Sequence, residues 1–217
     1  IAISSDHKKA SLVEVNSETD FVAKGDKFQV FANSVAECIL NAAPSDVDSL
    51  LILPIKQGSA QTVSQEREIL ISTMGENINV RRFIHFSTDH LIGSYVHQGS
   101  KIGVLVEMQG GDDVLARDIA MHIAACKPGY ISKEDVPESM IAKEKEIYIA
   151  QAAQSGKSPD IVEKMVQGRI KKYFDEVTLL GQQFIKDTDI SVGKLLGRED
   201  AKVRRFCRYE VGEGILK

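Results

Sequence analysis

The chain repeats itself. Val80-Arg81-Arg82-Phe83 recurs letter for letter as Val203-Arg204-Arg205-Phe206, 123 residues later. Leu12-Val13-Glu14-Val15 returns as Leu105-Val106-Glu107-Met108 at an offset of 93, and the helix end before Pro44 returns before Pro128 at an offset of 84. One four-residue identity can be chance. An ordered series restricts the chain to a duplicated scaffold. The changing offset also locates the differences between the copies. The first holds nine extra residues, Glu18 to Asp26, between its strand and its helix, and the second holds 39 extra after Pro128. Insertions peculiar to one copy are where function is most readily grafted onto a scaffold.

Each copy reads the same way. Residues 1–16 and 92–109 form two β-rich runs about a polar break, Ser5-Asp6-His7-Lys8-Lys9 in one and Gln98-Gly99-Ser100-Lys101 in the other, the pattern of a β-hairpin. A helix follows. Phe28, Phe31, Val35, Cys38, Ile39 and Ala42 share one apolar face, and Leu115, Ile119, His122, Ile123 and Cys126 share its counterpart. Asp26 and Asp113 stand where a carboxylate can cap these helices. A second helical stretch, Ser64 to Met74 or Val192 to Leu196, leads to a strand, Asn79 to Ser87 or Lys202 to Val211. The order β-β-α-α-β predicts an α+β fold of two related subdomains, 1–90 and 91–217, each a small antiparallel sheet covered on one side by helices.

The second copy's extra residues read as a helical hairpin (a coiled coil) over about 134–174. Helices at Glu134 to Gln154 and Pro159 to Phe174 flank the turn Ser155-Gly156-Lys157-Ser158. An arm of about 20 residues extends roughly 30 Å. Such a hairpin either packs back on its own sheet or meets a partner or a second copy.

Composition narrows the function. The chain has 217 residues, 43% of them hydrophobic and 27% charged, and a net charge of −4. This lacks the basic excess of a nucleic-acid footprint, although Lys171-Lys172 and Arg204-Arg205 are local basic pairs. Cys38, Cys126 and Cys207 are odd in number and lack metal-ligand spacing, which points to a reducing, cytoplasmic setting. No apolar run reaches membrane-spanning length and no charged-then-apolar leader is seen. The opening Ile1-Ala2-Ile3, strand-like and without methionine, reads as a chain with upstream residues removed.

Little here suggests catalysis. His97, at a hairpin end, could pair with Asp20 or His122 as an acid-base couple, but no spacing forces them together. His122 and Cys126 lie at i, i+4, half a metal site, yet both share the apolar face of Ile119 and Ile123, where a core histidine is the simpler reading. Gly110-Gly111-Asp112-Asp113 reads as a turn into a helix. No metal or cofactor is expected. For Asp20-Phe21 one reading is a helix start, with Thr19 as N-cap, Asp20 in the first turn and Phe21 tucked into the local core. The other is a rigid loop presenting one aromatic anchor and one orienting charge to a protein partner.

Several stretches carry a resemblance: Val13-Glu14-Val15-Asn16 with Thr19-Asp20-Phe21-Val22-Ala23-Lys24; Met74-Gly75-Glu76-Asn77-Ile78-Asn79-Val80-Arg81-Arg82; Met121-His122-Ile123-Ala124-Ala125; and Tyr209-Glu210-Val211-Gly212-Glu213-Gly214. Together they closely resemble the bacterial elongation factor Ts family over nearly the whole chain. The part matched is the family's core, two related subdomains with a coiled-coil hairpin, without the small N-terminal helical domain or the C-terminal module. The resemblance implies a non-catalytic guanine-nucleotide exchange factor for elongation factor Tu in protein biosynthesis. It implies that Thr19, Asp20, Phe21 and Val22 enter the partner's nucleotide domain and disturb its Mg²⁺ site, with secondary contacts from Met74, Gly75 and His97. The alternative is an interaction scaffold without exchange activity, acting through the hairpin. Direct nucleic-acid and membrane contacts are not expected.

Overall fold

The computed structural model describes residues 1–6, 8–153 and 158–215. In chain order its elements are β1 (Ala2–Asp6), β2 (Lys9–Asn16), α1 (Asp20–Lys24), α2 (Asp26–Ala42), α3 (Val47–Leu51), α4 (Val63–Met74), β3 (Asn79–Ser87), β4 (Leu91–Val96) and β5 (Ile102–Gln109). After these come α5 (Asp113–Cys126), α6 (Glu138–Ala153), α7 (Pro159–Val177), β6 (Gln183–Phe184), β7 (Asp187–Ser191), α8 (Val192–Arg198) and β8 (Lys202–Glu210). The fold is α+β, with antiparallel sheets ordered β1-β2-β3 and β4-β5-β8. The backbone divides into one unit of Ile1–Ala124 with Lys202–Lys217 and a second of Ala125–Ala201.

In the first unit the central strands are buried without alternation, residues 10–15 of β2 and 103–108 of β5. A strand with one face in water alternates, so unbroken burial means that both faces are covered. On one face of β2, Val13 and Val15 pack with Phe28, Phe31, Val35 and Ile39 of α2. On the other, Ala10, Leu12 and Phe86 cluster with Leu105 of β5. Helices therefore cover one side of each sheet, as expected, and the second sheet covers the other.

The repeat extends to an irregularity in the backbone. β2 pairs Glu14 with Arg82 and then Val15 with Val80, so Arg81 is bulged out. β5 pairs Glu107 with Arg205 and then Met108 with Val203, which bulges Arg204. The recurring Val-Arg-Arg-Phe is thus the sequence of a β-bulge, and in the first copy the bulge lets both successive arginines reach the one carboxylate of Glu14. The helix ends match too, since Ala43 and Lys127, each just before a proline, adopt left-handed φ angles of 46° and 49°.

Four details differ from the sequence reading. Asp26 is the first residue of α2, behind Gly25, which makes no side-chain cap. At α5 the capping carboxylate is Asp112, not Asp113, accepting from the Leu115 amide at 2.8 Å. Pro137 holds α6 to a start at Glu138, preceded by a separate 3-10 turn at Lys133–Asp135. Helix α7 runs to Val177, three residues beyond the expected end.

In the second unit Leu179, Ile190, Val192 and Leu196 are each buried, and the backbone is tied by the short β6–β7 ladder and by amide bonds from Leu179 to Tyr130 and from Leu180 to Ile131. Helices α6 and α7 contact one another: Arg169 donates to Gln151 and lies 5.6 Å over the Tyr148 ring. The turn residues Ser155-Gly156-Lys157, like His7 in the first polar break, lie outside the described residues. Among the described residues no helix is long and apolar enough to cross a membrane.

Candidate functional site

The nine-residue insertion folds as a single short helix. Thr19 has extended backbone (φ −123°, ψ 153°) and its Oγ1 accepts from the Val22 amide at 3.4 Å, an N-cap with Asp20 in the first turn, where the dipole favours a carboxylate. Gly25 closes α1 and opens α2 at once, and an added Cβ there would meet the Val22 carbonyl oxygen at 3.2 Å. The helix is therefore five residues long and bends away from its successor. That bend decides which side chains face inward.

Val22 turns into the core, packed among residues that include Phe28 and Phe31. Phe21 turns outward and is 91% exposed. The expectation that Phe21 is tucked into the local core is overturned, while that of a Thr19-capped helix start is upheld. A phenylalanine left in water forgoes roughly 2 kcal/mol of burial, so its place at the apex of α1 is unexplained by folding alone.

Neighbouring turns hold the segment. Glu76, just after α4, accepts from both the amide and the hydroxyl of Thr19, at 3.0 and 2.6 Å. Glu18 in return accepts from the Asn77 amide at 3.2 Å. Lys101, in the β4–β5 turn of the other copy, lies 3.1 Å from the Asp20 carboxylate, and both side chains are largely exposed. A cleft of about 270 Å³ separates α1 from that turn, lined by Asn16, Asp20, Lys24, Phe28 and Lys101. Glu18, Glu76 and Lys101 were not singled out from sequence; Glu76 was visible only as the residue after the Met74-Gly75 helix end.

Met74 is half-buried against the first core, and Gly75 caps α4 in the left-handed region with φ 73°. Gly75 immediately precedes Glu76, so the Met74-Gly75 stretch adjoins the Thr19 segment. His97 is exposed in the β4–β5 turn, its Nδ1 3.2 Å from the Tyr95 hydroxyl. That turn also contains Lys101. The acid-base reading finds no support: Asp20 is engaged by Lys101, and His122 is fully buried. Among the described residues no three His, Cys, Asp or Glu side chains cluster as a metal site.

The sheet itself holds a buried ionic anchor. Glu14 is fully buried and accepts from Arg81 Nη1 at 2.9 Å, Arg82 Nε at 2.6 Å and the Gly212 amide at 3.0 Å. Burial pushes its carboxyl upward, but the Gly212 amide and the two guanidiniums outweigh this and hold it below the usual range. Glu107 repeats the arrangement with Thr88 at 2.7 Å and Arg205 at 2.5 Å, again with burial outweighed and the carboxyl lowered.

The family described as Elongation factor TS matches residues 18–213. Elongation factor Ts of Halorhodospira halophila is 54% identical over 213 residues, covering 98% of this chain and 72% of the relative. That of Methylococcus capsulatus is 55% identical over 216 residues, 99% of this chain and 73% of the relative. That of Legionella pneumophila strain Lens is 48% identical over 217 residues, 100% and 73%. These likenesses put the chain among the translation elongation factors. Within that class, it belongs to the elongation factor Ts family.

Proposed function

We propose that this chain is a guanine-nucleotide exchange factor that binds elongation factor Tu in its GDP state and speeds GDP release, so that GTP can bind. The observation that carries this reading is Phe21: an aromatic 91% exposed on a helix whose next residue, Val22, is buried. Phe21 is the anchor that enters an apolar gap in the partner's nucleotide domain, and Asp20 beside it disturbs the Mg²⁺ environment there. Thr19 and Val22 hold the pair in place. A diphosphate held by a cation and backbone amides loses much of its charge compensation once the ion is displaced, and its dissociation accelerates. Linkage makes the effect mutual: bound GDP weakens the exchange factor by the same factor that the exchange factor weakens GDP.

Met74, Gly75 and His97 serve as secondary contacts, and the repeats 1–90 and 91–217 act as the two working subdomains. The chain's own groups perform no bond chemistry, and its place of work is the cytoplasm. The test is release of fluorescent GDP from elongation factor Tu. The native chain accelerates it and Phe21→Ala does not, while the melting temperature of the variant stays that of the native chain. Equal acceleration by the variant sinks the proposal.

A second reading is favoured by the exposure of Met140, Ile147, Ile149 and Ile161 on α6 and α7. These side chains suit a scaffold that assembles a complex, or two copies, through the helical arms. Removing 134–174 abolishes assembly under this reading and leaves nucleotide release untouched.

A further inference from the structure

We propose that Glu76 is a positioning residue for exchange, the fixed half of a reciprocal carboxylate clamp that holds the Phe21 segment ready before any partner arrives. The proposal rests on the exchange reading above.

The presented helix is too short to hold itself. Five residues close barely one turn, and a helix of that length in water is far from stable alone. Its outward face has no packing, because Phe21 lies in solvent. Something outside the helix must therefore fix the direction in which Phe21 points. Val22 and Ala23 supply inward contacts, Lys101 reaches Asp20 at 3.1 Å, and the hydrogen bonds to the α4–β3 turn fix the start of the helix.

Those bonds form a crossed pair. Glu76 takes the Thr19 amide at 3.0 Å and the Thr19 hydroxyl at 2.6 Å, while Glu18 takes the Asn77 amide at 3.2 Å. Each carboxylate bonds to the backbone of the other strand of chain, so neither segment can slide without breaking both ties. Hydrogen bonds with an ionised acceptor are stronger and shorter than neutral ones. The bond to the hydroxyl does a second job. Its proton is directed at Glu76, which leaves a Thr19 Oγ1 lone pair free to cap the Val22 amide. Glu76 thereby sets the N-cap as well as the position of the segment.

Glu76 itself sits on a rigid support. Gly75 ends α4 in a left-handed turn, with its amide bonded to the Ile71 carbonyl at 2.8 Å, and β3 starts four residues later. Holding a presented group in its working orientation removes an entropic cost from the productive encounter.

The chain contains no tryptophan, so Phe21→Trp places a single fluorescent reporter at the apex of the segment. In that background the nanosecond anisotropy decay shows a restrained ring when Glu76 is present, an unrestrained one in Glu76→Ala and a partly restored one in Glu76→Gln, which keeps one carbonyl acceptor. With Phe21 in place, Glu76→Ala lowers the GDP release rate at saturating exchange factor about tenfold, the order expected when a reacting geometry is loosened. Unchanged anisotropy in Glu76→Ala overturns the clamp, and so does a freed ring with an unchanged saturated release rate. If the native chain fails to accelerate release at all, the exchange reading falls, and the anisotropy alone then decides the clamp.

Discussion

Arg82 and Arg205 hold the same place in the two copies, and each stacks on an aromatic ring of the other copy. Arg82 lies 4.2 Å over Tyr209, and Arg205 lies 4.1 Å over Phe86. Phe86 and Tyr209 are themselves equivalent, 123 residues apart like the arginines. Each guanidinium also grips the buried glutamate of its own copy, so one side chain joins a carboxylate within a repeat to a π face across it. The arrangement is a local two-fold exchange, which is what duplication of a self-complementary half leaves behind.

The copies are not equally dependent on this. Removing Glu14 leaves Arg81 and Arg82, 21% and 29% exposed, facing a buried void, whereas Arg205 opposite Glu107 is 47% exposed and can turn to water. Glu14→Ala therefore costs about 3 kcal/mol, the low end for breaking a buried pair, and Glu107→Ala about 1 to 2. Urea unfolding of the two variants measures the difference, and equal losses contradict it.

How much of this could be seen in the letters depended on what each feature needs. The duplication, the strands and the main helices were legible because periodicity and repetition report burial directly. The charge in Leu12-Val13-Glu14-Val15 was plain to see, but nothing local tells that its partners are 67 and 68 residues away. Helix α3 is too short for a helical period and escaped notice, as did the β6–β7 ladder. At the site, Thr19 as a cap was legible because capping is a local bond. The direction of Phe21 was not: residues 21 and 22 are both apolar, and the bend at Gly25 selects Val22 for the core. Asp112 and Asp113 were likewise indistinguishable until the backbone fixed which one precedes the helix.

The glutamates also set a pH dependence. Both carboxyls are held below the usual 4.5, where burial alone would raise them, because hydrogen bonds and guanidiniums outweigh it. A depressed pKa contributes stability that is fully present above the unfolded value and is lost as pH falls through the folded one. The melting temperature should stay level from pH 7 to about 5 and then drop steeply below the unfolded glutamate value. Glu14→Gln should melt lower at pH 7 and show a shallower acid limb. High salt should remove any contribution of the exposed Lys8–Asp89 pair and leave the Glu14 component in place, since buried pairs are poorly screened.

Two glycines should respond to alanine with opposite signs. A Cβ on Gly93 of β4 would lie 2.5 Å from the Ala116 carbonyl oxygen and 2.8 Å from its Cβ, so α5 would have to move off its sheet. Gly93→Ala is expected to destabilise by about 1 to 3 kcal/mol, the usual cost of overpacking. Gly168 lies inside α7 with nothing within 4 Å, so Gly168→Ala is expected to stabilise by about 0.5 to 1 kcal/mol through helix propensity. Thermal melts of the two variants at neutral pH suffice, and a stabilised Gly93→Ala contradicts the close packing of α5 on β4.

The three thiols should differ sharply in reactivity, although the sequence treats them alike. Cys126 is exposed at the end of α5, Cys38 is buried with its thiol 3.5 Å from the Pro54 carbonyl, and Cys207 is half-buried on β8. Burial pushes the Cys207 thiol up to about 11 despite the opposing influence of Tyr209 and Arg82. The thiolate is the reactive form, so at pH 8 only about one Cys207 in a thousand is available to attack a disulfide reagent. One thiol per chain, Cys126, should therefore react quickly under native conditions, and Cys126→Ser should abolish that phase. Raising the pH from 8 to 9 should increase the residual Cys207 rate about tenfold, as expected for a thiol still far below its pKa. Three equal rates in the folded protein would contradict both the burial of Cys38 and the suppression of Cys207.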